Sequence, residues 1–254
     1  MSTKKIVLIT GATSGIGKAC ATLFATNGWQ LIITGRRAQR LAELKAFLQK
    51  KYPTTCLTLC FDVQDKTAIQ QHLQSLPKEW QSIDVLINNA GLALGRDAFD
   101  TANMDDWETM IDTNIKGLLY VSKAIIPYFI QHHKGHIINI GSVAGKEVYE
   151  KGNVYCATKH AVVAISKAQR IDLVQHGIKV TCINPGATET EFSLVRFKGD
   201  TTTAASIYNG YKALADVDIA QVIYYTATLP PHVCINDVDI TCTQQANATT
   251  FYKS

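Results

Sequence analysis

A serine, a tyrosine and a lysine share the segment Ser142 to Lys159, SVAGKEVYEKGNVYCATK, and their types suit proton transfer. Tyr155 follows Ser142 by thirteen residues, and Lys159 follows Tyr155 by four. At i and i+4 on a helix, the phenol and the ammonium lie on one face, a turn apart. A fixed ammonium beside a phenol favours the phenolate and lowers a pKa that is about 10 when unperturbed. Ser142 closes the apolar run IINIGS, where a buried strand opening onto a cleft would present a hydroxyl to a carbonyl oxygen. Together the three could form one acid–base site. Taken alone, Tyr-x-x-x-Lys is an everyday pair on a helix surface, so the surrounding elements must carry the argument.

Those elements alternate. KKIVLIT (Lys4 to Thr10) reads as a short apolar strand, TGATSGIG (Thr10 to Gly17) as a glycine turn, and GKACATLFATNGW as the helix that follows. Strand, glycine turn and helix in that order suit a dinucleotide diphosphate. Gly11 allows the tight turn, Gly15 a close approach of the diphosphate and Gly17 close packing of helix on strand. The helix N-terminus adds unpaired N–H groups. QLIITGRR (Gln30 to Arg37) is a second strand, and no acidic residue stands at its end to hold a ribose 2′-hydroxyl. Arg36 and Arg37 stand there instead and would pair with a 2′-phosphate, which predicts NADP over NAD. Two ordinary surface arginines are the plainer alternative, more so for Arg37 than for Arg36.

CLTLCFDV (Cys56 to Val63) is expected as a third strand and SIDVLINNAG (Ser82 to Gly91) as a fourth, running into paired amides. Such amides could tie neighbouring strands, or simply make a turn. One long amphipathic helix is expected over MDDWETMIDTNIKGLLYVSKAIIPYF, with Asn114 in its middle, an unusual residue beside an apolar run. GHIINIGS is a fifth strand, followed by the helix of Tyr155 and Lys159. IKVTCINPGATETEF (Ile178 to Phe192) holds a sixth strand and Pro185-Gly186. Ser193 to Leu214 reads as polar and irregular, and a substrate lid is expected over about residues 190–214. A helix in VDIAQVIYYTATLP and a seventh strand in HVCINDVDITC complete the chain. The pattern predicts one doubly wound α/β domain over residues 1–254, Rossmann-like, with about seven mostly parallel strands and helices on both faces.

Composition narrows the function. Of the 254 residues 46% are hydrophobic and 18% charged, enough apolar material for a large core. The net charge of +4 is scattered, without the dense basic block that tracks a phosphate backbone, so no nucleic-acid partner is expected. The longest apolar runs are strand-sized, which argues against membrane insertion. MSTKK leads straight into the first strand with no signal-peptide hydrophobic region. The seven cysteines form no Cys-x-x-Cys pair and the seven histidines no ligand spacing, so reduced thiols, a cytoplasmic location and no metal are expected.

In combination these residues resemble the short-chain dehydrogenases/reductases from about Lys4 to Thr243. The likeness rests on Thr10-Gly11-x-x-x-Gly15-x-Gly17, Asp62, Asn88-Asn89-Ala90-Gly91, Asn114, Ser142, Tyr155-x-x-x-Lys159 and Pro185-Gly186-x-x-x-Thr190. The resemblance implies that Tyr155 is the general acid/base, that Lys159 tunes it and holds the nicotinamide ribose, and that Ser142 binds the substrate oxygen. It implies that Asn114 anchors a water chain. For the cofactor it implies Thr10, Gly11, Gly15, Ile16 and Gly17 at the diphosphate, and Asp62 and Val63 at the adenine. Asn89, Ala90 and Gly91 would run past the adenosine, and Pro185, Gly186, Thr188 and Thr190 would meet the nicotinamide. Because the glycine loop offers only Ser14, Arg36 is the favoured 2′-phosphate reader.

The C-terminal third is similar to one branch, the NADP-dependent 3-hydroxy acid dehydrogenases, through EFSLVRFKGD, the DIAQVIYYTATLPPHVCIND run and Thr243-x-Gln245. That likeness implies a small 3-hydroxy acid of the L-serine or L-allo-threonine type, or its 3-oxo counterpart, with Arg196 on the carboxylate. Lys146, Glu147, Glu150 and Lys151 beside the cleft, and Cys234 where an Asn is expected, depart from it. The family also implies a homotetramer. A broad carbonyl or 3-oxoacyl reductase is the alternative within the family, and an inactive dinucleotide-sensing protein the alternative outside it.

Overall fold

Short β-branched runs alternate with helical ones along residues 4–253, the part of the chain that the computed structural model describes. Seven strands form a wholly parallel sheet: β1 (Ile6–Ile9), β2 (Gln30–Gly35), β3 (Cys56–Cys60), β4 (Val85–Asn88), β5 (Gly135–Ile140), β6 (Ile178–Pro185) and β9 (Asp237–Ile240). Their order is β3-β2-β1-β4-β5-β6-β9. The chain winds outward from β1 to β3, then returns to β4 on the other side. The cleft lies at that reversal, off the C-terminal strand ends.

Alternation along the strands loads both faces. In β1, Val7 and Ile9 join a core layer with Phe24, Trp29 and Leu41 and with Ile219 and Ile223. Ile6 and Leu8 join the opposite layer with Ile69, Leu73, Val121, Ile125 and Phe129. The first layer is built on α1 (Gly15–Thr26), α2 (Ala38–Lys51) and α9 (Asp216–Thr228); the second on α3 (Lys66–Leu73) and α5 (Leu118–Gln131). Continuous apolar strands are what a sheet covered on both faces requires.

Three expectations need correction. The strands end earlier than their apolar runs: Phe61 and Val63 are buried yet lie beyond the β3 ladder, and the fourth strand starts at Val85 rather than Ser82. The long helix is not uniform. α4 (Met104–Ile111) passes into a π-helical turn, Asp112–Gly117, and only then into α5. The stretch from Ser193 to Leu214 is not irregular either. It contains most of α7 (Glu191–Arg196) and all of α8 (Thr201–Ser206), and a two-residue ladder joins β7 (Thr188–Glu189) to β8 (Leu214–Ala215). Side-chain caps make these short helices possible: Thr190 Oγ accepts the Phe192 N–H at 3.1 Å, and Asp200 Oδ1 accepts those of Thr202 and Thr203 at 3.0 Å. No helix among the described residues is long and apolar enough to cross a membrane.

Candidate active site

The glycine turn is locked from β4. Thr10, almost fully buried, accepts the N–H groups of Asn89 and Ala90 on its hydroxyl at 3.0 Å each. The Asn89 amide donates back to the carbonyls of Thr10 and Gly11 at 2.9 and 3.1 Å. A methyl group on Gly17 would collide with the Gly11 carbonyl and with Asn89, which is why that position takes no side chain. The backbone at Gly15 is left-handed, φ +48°, and Ser14 makes no side-chain cap at the start of α1. The first-turn N–H groups of α1 are thereby left for an anion. Asn88 performs the strand-tying role open to the paired amides: its Nδ2 donates to Asn139 of β5 and to Ser122, both at 2.9 Å.

Asn114 sits in the π-helical turn with both ends of its amide engaged. Its Nδ2 donates to the Leu92 carbonyl at 2.8 Å and to Thr158 Oγ1 at 3.0 Å, and its Oδ1 accepts the Leu92 N–H at 2.9 Å. The wider turn aims that side chain at the segment after β4, the use to which such turns are often put. Gly91 packs closely here: a methyl group on it would lie 3.2 Å from Asn114 Oδ1, a tight contact, and 3.7 Å from Lys159 Nζ.

Tyr155 and Lys159 project from α6 (Asn153–Leu173), and Ser142 caps the short 3₁₀ turn Val143–Gly145 after β5. The Ser142 hydroxyl accepts the Ala144 N–H at 3.1 Å and reaches the Pro185 carbonyl at 3.4 Å. Lys159 is buried and donates to the Ile140 carbonyl at 2.9 Å; burial brings its ammonium down to about 8. The phenol does not follow the expectation of a lowered pKa. Burial pushes Tyr155 well above its ordinary value, the nearby Tyr149 adds to the rise, and the Ser142 hydroxyl and Arg196 only partly offset it. Lys159 Nζ is 6.0 Å from the centre of the phenol ring, and one of its three donors is directed to the Ile140 carbonyl. In this arrangement Tyr155 is a protonated donor.

Arg196, at the end of α7, is also buried. Its guanidinium lies 5.5 Å from the centre of the Tyr155 ring and 5.7 Å from that of Tyr149. Nε donates to the Gly95 carbonyl at 3.2 Å and Nη1 to the Tyr149 hydroxyl at 3.0 Å. Arg96, which also lines the cleft, lies 6.0 Å from the Tyr149 ring centre.

One cleft of about 960 Å³ gathers nearly all of the expected residues. Its walls include Gly11, Gly15, Ile16, Arg36, Arg37, Asp62, Val63, Asn89, Ala90 and Gly91 toward one end, and Ser142, Tyr155, Lys159, Pro185, Gly186, Thr188, Thr190 and Arg196 toward the other. Thr10, Gly17 and Asn114 are not on its walls and act from behind. The two arginines after β2 differ in their partners. Arg36 is half exposed and pairs with Asp62 at 3.2 Å, whereas Arg37 bonds Thr13 and Ser14 of the glycine turn and Glu191 of α7. Tyr149, Arg96, Glu191 and the clamp residue Thr158 were not singled out by sequence reasoning. Gln245 appeared only as a tail similarity. Here its side chain accepts the Ala187 N–H at 2.8 Å and fills the space beside Gly186. A lone aromatic within KEVYEK and a lone arginine in GLALGRD were the available signals. All seven cysteines are free, and among the described residues no group of histidine, cysteine or acidic side chains gathers as for a metal.

A short chain dehydrogenase family model matches residues 5–200. With that match and this geometry, the chain belongs to the short-chain dehydrogenases/reductases. It is 48% identical over 236 residues to the NADP-dependent 3-hydroxy acid dehydrogenase YdfG of Salmonella typhi, covering 92% of this chain and 94% of that one. It is 45% identical over 242 residues to sulfoacetaldehyde reductase 2 of Chromohalobacter salexigens, covering 95% of each. Among solved structures, the closed form of a serine dehydrogenase complexed with NADP+ superposes with a TM-score of 0.91 at 45% identity, covering 98% of this chain and 99% of the other.

Proposed function

We propose that this protein is an NADP-dependent oxidoreductase that moves hydride between the nicotinamide and a small 3-hydroxy acid, L-serine or L-allo-threonine in type, or the matching 3-oxo acid. The observation that carries the substrate class is Arg196. It is a buried guanidinium beside Tyr155 whose partners are a carbonyl and a hydroxyl, with no ion pair among the described residues. A cation taken out of water without a counter-ion favours an anion in the cleft. A carboxylate there would take the remaining guanidinium donors and leave the neighbouring hydroxyl carbon facing Tyr155.

The glycine turn, the free first turn of α1 and the arginines after β2 fit a dinucleotide with a 2′-phosphate. Thr10, Gly11, Gly15, Ile16 and Gly17 would shape the diphosphate site, Arg36 and Arg37 would read the 2′-phosphate, and Asp62 and Val63 would flank the adenine. Asn89, Ala90 and Gly91 would pass the adenosine side, and Pro185, Gly186, Thr188 and Thr190 the nicotinamide end. The hydride chemistry is supplied by the bound nicotinamide, and the chain's own residues supply position and protons. Tyr155 gives its phenolic proton to the substrate oxygen or recovers it, Ser142 donates a hydrogen bond to that oxygen, and Lys159 holds the nicotinamide ribose. Asn114 holds Leu92 and anchors the water chain that restores the proton. Residues 190–214 form the lid over the substrate. The enzyme works as a homotetramer in the cytoplasm. Family resemblance supports the first statement, and seven free thiols, which suit a reducing compartment, support the second.

The test is turnover with NADP and NAD against L-serine, L-allo-threonine, 3-hydroxypropionate, sulfoacetaldehyde and neutral alcohols, for wild type and Arg196→Gln. The variant should raise KM for the anionic substrates about ten- to a hundredfold, the range of a lost charge-assisted hydrogen bond, and leave neutral alcohols unaffected. Equal use of neutral alcohols, indifferent to Arg196, would move the protein to the broad carbonyl reductases. NADP binding without any turnover would make it a dinucleotide sensor.

A further inference from the structure

Arg37 divides its guanidinium between two elements. Nε and Nη2 donate to Thr13 Oγ1 at 3.1 and 2.7 Å, and Nη2 also to Ser14 Oγ at 3.0 Å, all on the glycine turn. Nη1 faces away, toward Glu191 Oε2 at 3.2 Å. Arg40, a turn further along α2, reaches both oxygens of the same carboxylate at 3.0 and 2.9 Å. Glu191 is the first residue of α7, and it lines the cleft together with Arg37, while Arg40 stands behind. The carboxylate therefore already neutralises part of the charge that a 2′-phosphate would seek.

We propose that Glu191 is a cofactor-selectivity residue whose carboxylate competes with the 2′-phosphate for Arg37. The proposal rests on the NADP reading above and adds a residue to it. A phosphate on the Nε–Nη2 edge of Arg37 and the Glu191 carboxylate on Nη1 would draw on one guanidinium charge and repel each other. When the phosphate takes Arg37, Glu191 retains Arg40, so the loss is partial and the exchange reversible. The preference for the 2′-phosphate is thus set lower than Arg36 and Arg37 alone would set it. The exchange also falls on the helix whose last residue is Arg196, which gives the adenosine end of the cleft a mechanical link to the substrate end. Asp62 holds Arg36 in a similar pair, but it sits after β3 and has no such connection.

Titration calorimetry of the full-length protein with adenosine 2′,5′-bisphosphate and with AMP tests this without requiring turnover. Glu191→Gln should tighten the bisphosphate about two- to fivefold, the scale of one partly exposed ion pair, and leave AMP unchanged. Glu191→Ala should act in the same direction, and the ratio of kcat/KM for NADP to that for NAD should rise by a similar factor. An unchanged ratio of bisphosphate to AMP affinity in both variants overturns the proposal, as does equal tightening of both nucleotides. Wild-type protein that binds the bisphosphate no better than AMP takes down the NADP reading itself.

Discussion

Replacing Asn114 by alanine separates a structural clamp from a catalytic relay. In the structure this side chain satisfies the buried N–H and carbonyl of Leu92 and donates to one acceptor on Thr158. Alanine leaves two buried backbone groups without partners, at about 1–3 kcal/mol each. Water entering the gap recovers part of this, so the expected loss is about 2–3 kcal/mol. For a chain of this size that lowers the thermal midpoint by about 5–10 °C. Thr158→Val, which removes the acceptor for Asn114 and a donor to the Tyr155 carbonyl but leaves both Leu92 groups paired, should cost about 1–2 kcal/mol. Unfolding followed by circular dichroism measures both, and turnover measured well below the midpoint should still fall about a hundredfold in Asn114→Ala as the segment around Leu92 shifts. A midpoint within about 1 °C of wild type would refute the clamp.

Tyr155→Phe should abolish turnover while NADPH binding, followed by fluorescence titration, stays nearly intact; most of the turnover surviving would remove the phenol from the acid–base role. Arg36→Ala and Arg37→Ala should each weaken NADPH far more than NADH, by about ten- to a hundredfold for a charge-assisted contact, and equal losses for both cofactors would show that neither reads the 2′-phosphate. Buried His136 bonds Thr181 Oγ1 at 2.7 Å, leaves Nδ1 without a partner and is held down at about 3 by burial and then by Lys179. Because its folded pKa lies below the unfolded value of about 6.5, stability is full above that pH and is lost as pH falls toward 3. Between pH 7 and 5 the loss is about 2 kcal/mol. NMR of its ring carbons should show no titration in that range, and a midpoint near pH 6.5 would contradict this.

Much of the fold was legible because buried parallel strands announce themselves as short β-branched runs. Their ends were not, since Phe61 and Val63 are as apolar as the strand before them and are buried by α-helices rather than by the ladder. The π-helical turn left no mark in the sequence, because it changes which carbonyl each N–H reaches and not which side chains are present. The spacing of Ser142, Tyr155 and Lys159 was readable because one strand end and one helix face position all three. Tyr149, Arg96 and Glu191 arrive from separate loops and a short helix, and only the folded chain brings them to Tyr155 and Arg37. The lowered phenol pKa inferred from the i,i+4 pair failed for a similar reason. Helical spacing places the ammonium near the ring, but the Ile140 carbonyl decides where it points.

The position of β9 at the sheet edge bears on how the molecule is made. Its residues, Asp237–Ile240, pair with Cys182–Pro185 of β6, more than fifty positions earlier in the chain. The Gly186 N–H is held by Ile240, and Gln245 holds that of Ala187. The strands around the glycine turn have their partners within the first ninety residues, so they can assemble early on the ribosome. The loop at Pro185 has to wait for almost the whole chain. Closing so long a loop slows folding, and a nascent chain stalled before β9 would expose the open edge of β6 to other strands.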